Sequence, residues 1–344
     1  MNHSIKLACG LLLLLLCSNA AMPGFFNVGG GGAFVPFFAE DTLHQRKIEM
    51  AQERITVLLH PGFAVVKGEY WMRNRSADTV SMQVGYPING TMNNSFVYAV
   101  NFNDIEKLKV LINGRETRPK RLPAKDGKPV NPLPMFNQPE NWYAWPLRFA
   151  PDTLTHLTVY FMVNTNQAYL REGYSRDIHN GFCYVLESGR AWAQTIGKGE
   201  IRIQLAPDLA PEQIIGLAPN AKFRFHPEKK YLYWRFKNLE PGPADNVLLR
   251  YGKRQEGFDY EAHVAKAPQY YQALDQLSEA AVPATGFVSF VANDFEIHDW
   301  KSATWFYGFM FLAIFGLPLL LIFLGGLMLV HFFRKKSKKS PPSV

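Results

Sequence analysis

The chain has 344 residues, 47% of them apolar and 19% charged, with three cysteines and a formal charge of +8. That length buries a core without covalent staples, and the apolar fraction excludes a disordered chain. The positive charge does not argue for nucleic acid: Lys6, Arg334, Lys335, Lys336, Lys338 and Lys339 carry most of it, and only about +2 is left between them.

In chain order, Lys6, the apolar run Leu7–Cys17 and the small-x-small triplet Ser18-Asn19-Ala20 have the layout of a secretory signal, with cleavage expected after Ala20. Removal of residues 1–20 takes Cys9 and Cys17 with it. Cys183 then has no internal disulfide partner and is expected as a buried thiol. Residues 21–40 are rich in glycine and aromatics. Gly29–Gly32 lacks the Gly-Lys-Ser/Thr and helix start of a phosphate loop, so a flexible arm or irregular edge strand is expected.

From Glu53 the apolar period becomes two. Strands are expected at Glu53–His60, Phe63–Asn74, Val80–Tyr86 and Leu108–Ile112, with turns at Pro61-Gly62 and Asn113-Gly114. Residues 119–141 carry six prolines across Pro119–Pro139, which a central strand does not tolerate; they read as a linker or long loop. Lys120, Arg121, Lys125 and Lys128 make its basic patch. Alternation resumes at Leu154–Val163, with Leu157, Val159, Phe161 and Val163 on one face. It continues at Gly199–Leu205, where Ile201, Ile203 and Leu205 point inward, and at Tyr231–Phe236 and Val247–Tyr251. Ala267–Ala281 has a helical stripe of Tyr271, Leu274 and Leu277.

The fold class expected is all-β: an antiparallel β-sandwich in two β-domains, 41–118 and 142–255, then a helical juxtamembrane stalk at 256–301. A transmembrane helix at 302–333 follows, and a basic cytoplasmic tail at 334–344. No Lys, Arg, Asp or Glu lies between Lys301 and Arg334, and a spanning helix needs roughly 20 apolar residues. The basic cluster behind it marks the cytoplasmic side, so the β-rich part is expected in the periplasm or outside the cell.

Two stretches carry a resemblance. Val65–Ser76 with Val84-Gly-Tyr-Pro87 and Val110–Arg115, and Trp145–Thr153 with Leu157–Phe161 and Tyr184–Ile201, resemble a bacterial exported β-rich family known only as a domain of unknown function. The first set is also similar to the domain shared by vault proteins and inter-alpha-trypsin inhibitors. The resemblance implies an exported β-sandwich and brings no catalytic residues with it.

Searches for chemistry return little. There is no Gly-x-Ser-x-Gly elbow, no His-Glu-x-x-His and no Cys-x-x-Cys, so no catalytic residue and no cofactor is expected. His179 and Cys183 read as a coincidental pair. Asp294, Glu296 and His298 share one face of any strand and are the candidate divalent-metal ligands, set against a polar juxtamembrane face. Trp142, Tyr143, Trp145 and Trp192 are candidates for stacking on sugars, set against core packing. Asn74, Asn89 and Asn93 head glycosylation sequons. Gly325 and Gly326 permit close approach of a partner helix. The function expected is a membrane-anchored, non-catalytic binding or assembly module with the bilayer and an envelope protein as partners. An envelope hydrolase with a dispersed site, or a regulatory subunit, is the alternative.

Overall fold

The computed structural model describes residues 24–26, 28–32, 34–36, 44, 46–88, 90–94, 98–123, 136–137, 141–172, 175–290, 292–294 and 308–337. The expected signal segment 1–20 and residues 338–344 of the tail lie outside the described residues. Residues 22–297 form one compact unit, and the long C-terminal helix belongs to another.

The compact unit is mostly strands. Its main layer is a nine-stranded sheet in the order Arg115–Thr117, Ile105–Ile112, Leu154–Asn164, Phe63–Asn74, Ile48–His60, Ile196–Leu205, Tyr231–Leu239, Arg224–His226, Val288–Ser289. Neighbours are antiparallel except Ile48–His60 with Ile196–Leu205, which run parallel. Both expected turns form two-residue hairpin connections. Gly62 has φ +94°, and Asn113 and Gly114 have φ +49° and +76°, the left-handed values that Asn-Gly tolerates.

Alternation decides the two faces. Ile55, Val57 and Leu59, Ala64, Val66 and Tyr70, Val159, Phe161 and Val163, and Ile201 and Ile203 all point into one buried core. That core is closed by a seven-stranded sheet around Ser175–Val185 and Val247–Lys253 and by a four-stranded one around Val80–Pro87 and Asn141–Phe149.

Four expectations need correction. The nine-stranded sheet takes strands from both 41–118 and 142–255, so these stretches do not separate into two β-domains. Non-local pairing across the whole stretch buries more apolar surface than two smaller cores would. Secondly, Gly29–Gly32 is no flexible arm: it is a buried strand, parallel to Phe182–Val185, its one pairing partner among the described residues, so the edge-strand alternative holds. A Cβ at Gly30 would lie 2.1 Å from the Cys183 carbonyl oxygen, and one at Gly31 2.6 Å from the Tyr86 hydroxyl oxygen. Only backbone without side chains fits there.

Thirdly, both ends of the proline-rich stretch join sheets: Lys120–Pro123 pairs with Asn141–Phe149 at an edge, where proline's missing N–H is tolerated, and Phe136–Asn137 pairs with Gly90–Asn94. Lys125 and Lys128 lie outside the described residues. Fourthly, Tyr260–Glu279 of the expected stalk belongs to the compact unit. The Tyr260–Val264 and Ala267–Glu279 helices pack on the nine-stranded sheet, burying Tyr271 and Leu274 against Phe63, Val65, Tyr160 and Met162. Asp259 caps the first helix, its Oδ1 accepting from the Ala262 amide.

The second unit contains one apolar helix, Gly308–His331, of 24 residues, long enough to cross a membrane. It widens into a π-helical turn at Leu312–Gly316 just ahead of Pro318. Proline lacks the N–H and its ring crowds the carbonyl four residues back, so the wider turn relieves the clash inside the apolar segment.

Candidate binding face

The face of the nine-stranded sheet turned away from the core carries the densest set of polar and aromatic side chains. Parity puts Gln52, Arg54 and Thr56, Lys67, Glu69 and Trp71, His156 and Tyr160, Lys198, Glu200 and Arg202, and Tyr233, Arg235 and Lys237 there. Strand register then aligns them. Thr158, Glu69, Arg54, Glu200 and Arg235 form one cross-strand row; His156, Trp71, Gln52, Lys198 and Lys237 form the next.

Arg54 is the hub. Its Nε donates to Glu200 Oε1 at 2.7 Å, its Nη1 lies 3.7 Å from Glu69, and its guanidinium sits 5.5 Å from the Trp71 ring centre. The Tyr233 hydroxyl donates to the other Glu200 oxygen at 2.9 Å. Trp71 stacks on His156 with ring centres 4.5 Å apart and planes 12° from parallel. Burial lowers the His156 pKa, with Lys67 and Arg54 acting in the same sense and Glu69 opposing. The ring that packs on Trp71 is therefore neutral imidazole at ordinary pH.

The Ala267–Glu279 helix covers part of this face and is pinned by cations from the sheet. Lys67 Nζ lies 2.9 Å from Asp275 and donates to Ser278 Oγ at 2.7 Å, and the Ser278 hydroxyl donates in turn to the Asp275 carbonyl. Arg202 donates to the Leu277 and Ala280 carbonyls, which the helix end leaves unpaired. This Lys–Ser contact reads as a helix anchor, since the ammonium is committed to two carboxylates. Open clefts of about 540 and 490 Å³ flank the helix, one lined by Lys107, Lys109, Tyr271 and Asp275, the other by Leu58, Gln204, Lys229 and Gln276.

Directly beneath, on the core side, Glu53 is buried. Its Oε1 accepts from the Tyr184 hydroxyl at 2.8 Å, and Tyr184 shares a 3.1 Å hydrogen bond with Tyr70. Burial raises the Glu53 carboxyl to about 7, against a lowering from Tyr184. Glu53 Oε2 and Trp145 Nε1 have no hydrogen-bond partner among the described residues.

Asp294 lies in a two-residue strand paired with Leu217, while Glu296 and His298 lie outside the described residues. Among the described residues no three His, Cys, Asp or Glu side chains gather as a metal site. Trp142, Trp145 and Trp192 are core residues, and the Trp192 indole donates to the Phe34 carbonyl at 3.2 Å. Cys183 is buried as expected, and burial pushes its thiol up to about 12, the reverse of an activated nucleophile. Its supposed partner, His179, bonds through Nδ1 to the Gly252 carbonyl at 3.0 Å. Asn74 is fully buried, its amide donating to the Asp78 and Phe149 carbonyls, so this sequon is closed in the folded protein. Asn89 lies outside the described residues, and Asn93 lies in the Gly90–Asn94 strand. The Arg54 row and Glu53 were not singled out from sequence. Both follow from parity, because 53, 55, 57 and 59 share a face, as do 54 and 56.

No family model and no curated protein matches the chain. Among solved structures it is similar to a candidate nutrient binding protein from Legionella pneumophila, at 14% identity and TM-score 0.43, covering 66% of this chain and 71% of that one. It is also similar to an M1 zinc metallopeptidase from Deinococcus radiodurans, at 8% identity and TM-score 0.29, over 60% of this chain and 42% of that one. Likenesses this distant carry no argument about activity. The class defined is a β-rich protein with, among the described residues, one membrane-length helix.

Proposed function

We propose that this chain is a membrane-anchored, non-catalytic binding or assembly module of the cell envelope. Its β-rich unit stands outside the cytoplasm and Arg334–Lys339 inside. The observation that carries the reading is the outer face of the nine-stranded sheet. Arg54, Glu200, Trp71 and His156, each partly exposed, are held there with the buried Glu69 in a fixed array by cross-strand pairing. Tryptophan and arginine are also the residues that carry most energy at protein interfaces. The uncharged helix followed by a basic cluster supports the orientation, and Ser18-Asn19-Ala20 supports export.

The experiment places a photo-crosslinking amino acid at Gln52 or Lys198, and for comparison at Arg148 or Lys222, in native membranes. A discrete adduct confined to Gln52 and Lys198 supports the reading. Adducts from all four positions, or from the comparison pair alone, reject it. Mass spectrometry of the mature N-terminus, expected to begin at Ala21, checks export separately.

A further inference from the structure

The charge of the β-rich unit sums to little, yet its placement is uneven. Arg73, Lys198, Arg235 and Lys237 stand exposed on the part of the outer face left open by the Ala267–Glu279 helix. Among the described residues, the carboxylates of this region are engaged elsewhere: Glu200 with Arg54 and Tyr233, Glu69 with Arg54 and Lys67, Glu49 with Arg75, and Glu240 with Arg190. Lys198 and Lys237 are direct cross-strand partners. Like charges opposite each other on adjacent strands destabilise a sheet, and neither lysine has an ion-pair partner among the described residues.

Resting on the proposed binding role of this face, we infer that its partner is an acidic protein segment or surface, which settles against Lys198, Lys237, Arg235 and Arg73. Other anionic partners fit less well. A small anion would need an enclosed pocket, and the clefts flank the helix elsewhere. A sugar would need an open aromatic face, but His156 stacks on Trp71. A lipid surface holds a protein through cations together with inserted apolar side chains, and this end of the face presents Gln, Arg, Lys and the engaged Trp71. A protein interface uses what is present: fixed ion pairs for register and free cations for steering.

The test uses the full chain in nanodiscs of neutral lipid and a labelled oligoglutamate peptide. Every arm carries Lys335→Gln, Lys336→Gln, Lys338→Gln and Lys339→Gln so that the tail does not compete. Binding should weaken as salt rises from ~50 to ~300 mM, over which screening shortens sharply. Lys198→Glu with Lys237→Glu should weaken it by ~tenfold or more, about what losing two phosphate- or carboxylate-facing cations gives. Lys222→Glu with Lys229→Glu should leave it within ~twofold. Lys198→Thr with Lys237→Thr, a strand-compatible change, repeats the arm should the charge reversal fail to fold. Salt-insensitive binding, an equal loss in the Lys222/Lys229 arm, or tighter binding to phosphatidylglycerol vesicles than to the peptide overturns the inference. Specific adducts at Gln52 without peptide binding would reject the acidic partner while sparing the binding face; absence of those adducts rejects the face itself.

Discussion

Glu53 shows what a single inward position costs. Its carboxyl ionises near 7 when folded, against 4.5 for the free group, because burial removes water from the charged form. The folded protein therefore holds a proton that the unfolded chain has released. The Glu53 contribution to stability is fully present below about 4.5 and is lost as pH rises to about 7, by ~3 kcal/mol. Glu53→Gln should keep the Tyr184 hydrogen bond and remove that fall, so urea midpoints of variant and parent should converge at pH 4.5 and separate in the variant's favour at pH 8. His60 acts in the opposite sense. Burial lowers it to about 4, with His263 adding and Asp208 opposing, so its contribution is present above about 6.5 and lost as pH falls through about 4. Urea midpoints of Glu53→Gln and parent that keep the same separation at pH 4.5 and pH 8 would contradict the Glu53 assignment. Cys183, buried with a raised pKa, should react with thiol reagents only after denaturation, read by mass shift.

Among the elements, the Gly29–Gly32 strand and the Ala267–Glu279 helix are built by opposite means. The strand contributes backbone hydrogen bonds and occupies a slot too narrow for any Cβ. Gly30→Ala and Gly31→Ala should each cost roughly 2–4 kcal/mol, measured by denaturant titration, since overpacking a closed core forces neighbouring backbone to move. The helix is held by Tyr271 and Leu274 below and by Lys67 and Arg202 at its end. Leu274→Ala should cost ~2–4 kcal/mol, whereas Ser278→Ala should cost ~1 kcal/mol because Lys67 keeps its Asp275 partner.

Strand positions, both hairpin turns and the helix start were legible from period-two alternation, Pro-Gly and Asn-Gly chemistry and a helical stripe. The glycine run was legible only as an arm or an edge strand; its burial was not, because that depends on what packs over it and four residues without side chains give no periodic signal. The domain division was missed for a related reason. The parallel pairing of Ile48–His60 with Ile196–Leu205 joins residues almost 150 apart, and local patterns hold no trace of it. Charge composition likewise concealed the outer face, since a sum near zero does not reveal that Lys198, Arg235 and Lys237 share one side.

At the scale of the whole molecule, a β-rich unit of residues 22–297 and an apolar helix of membrane length share one chain. The helix is uncharged from Gly308 to Phe333 and ends in Arg334, Lys335 and Lys336, so moving those cations ahead of Gly308 should invert or abolish its insertion, read by protease protection. The proposed binding role requires the outer face to be occupied in its native setting. Lysine acetylation by a membrane-impermeant reagent, quantified by mass spectrometry in native membranes and again after purification into neutral nanodiscs, tests it most directly. Lys198 and Lys237 should be shielded several-fold in the native membrane and become reactive on purification, with Lys222 and Lys229 reactive in both. Equal reactivity of all four lysines in both settings would contradict the account.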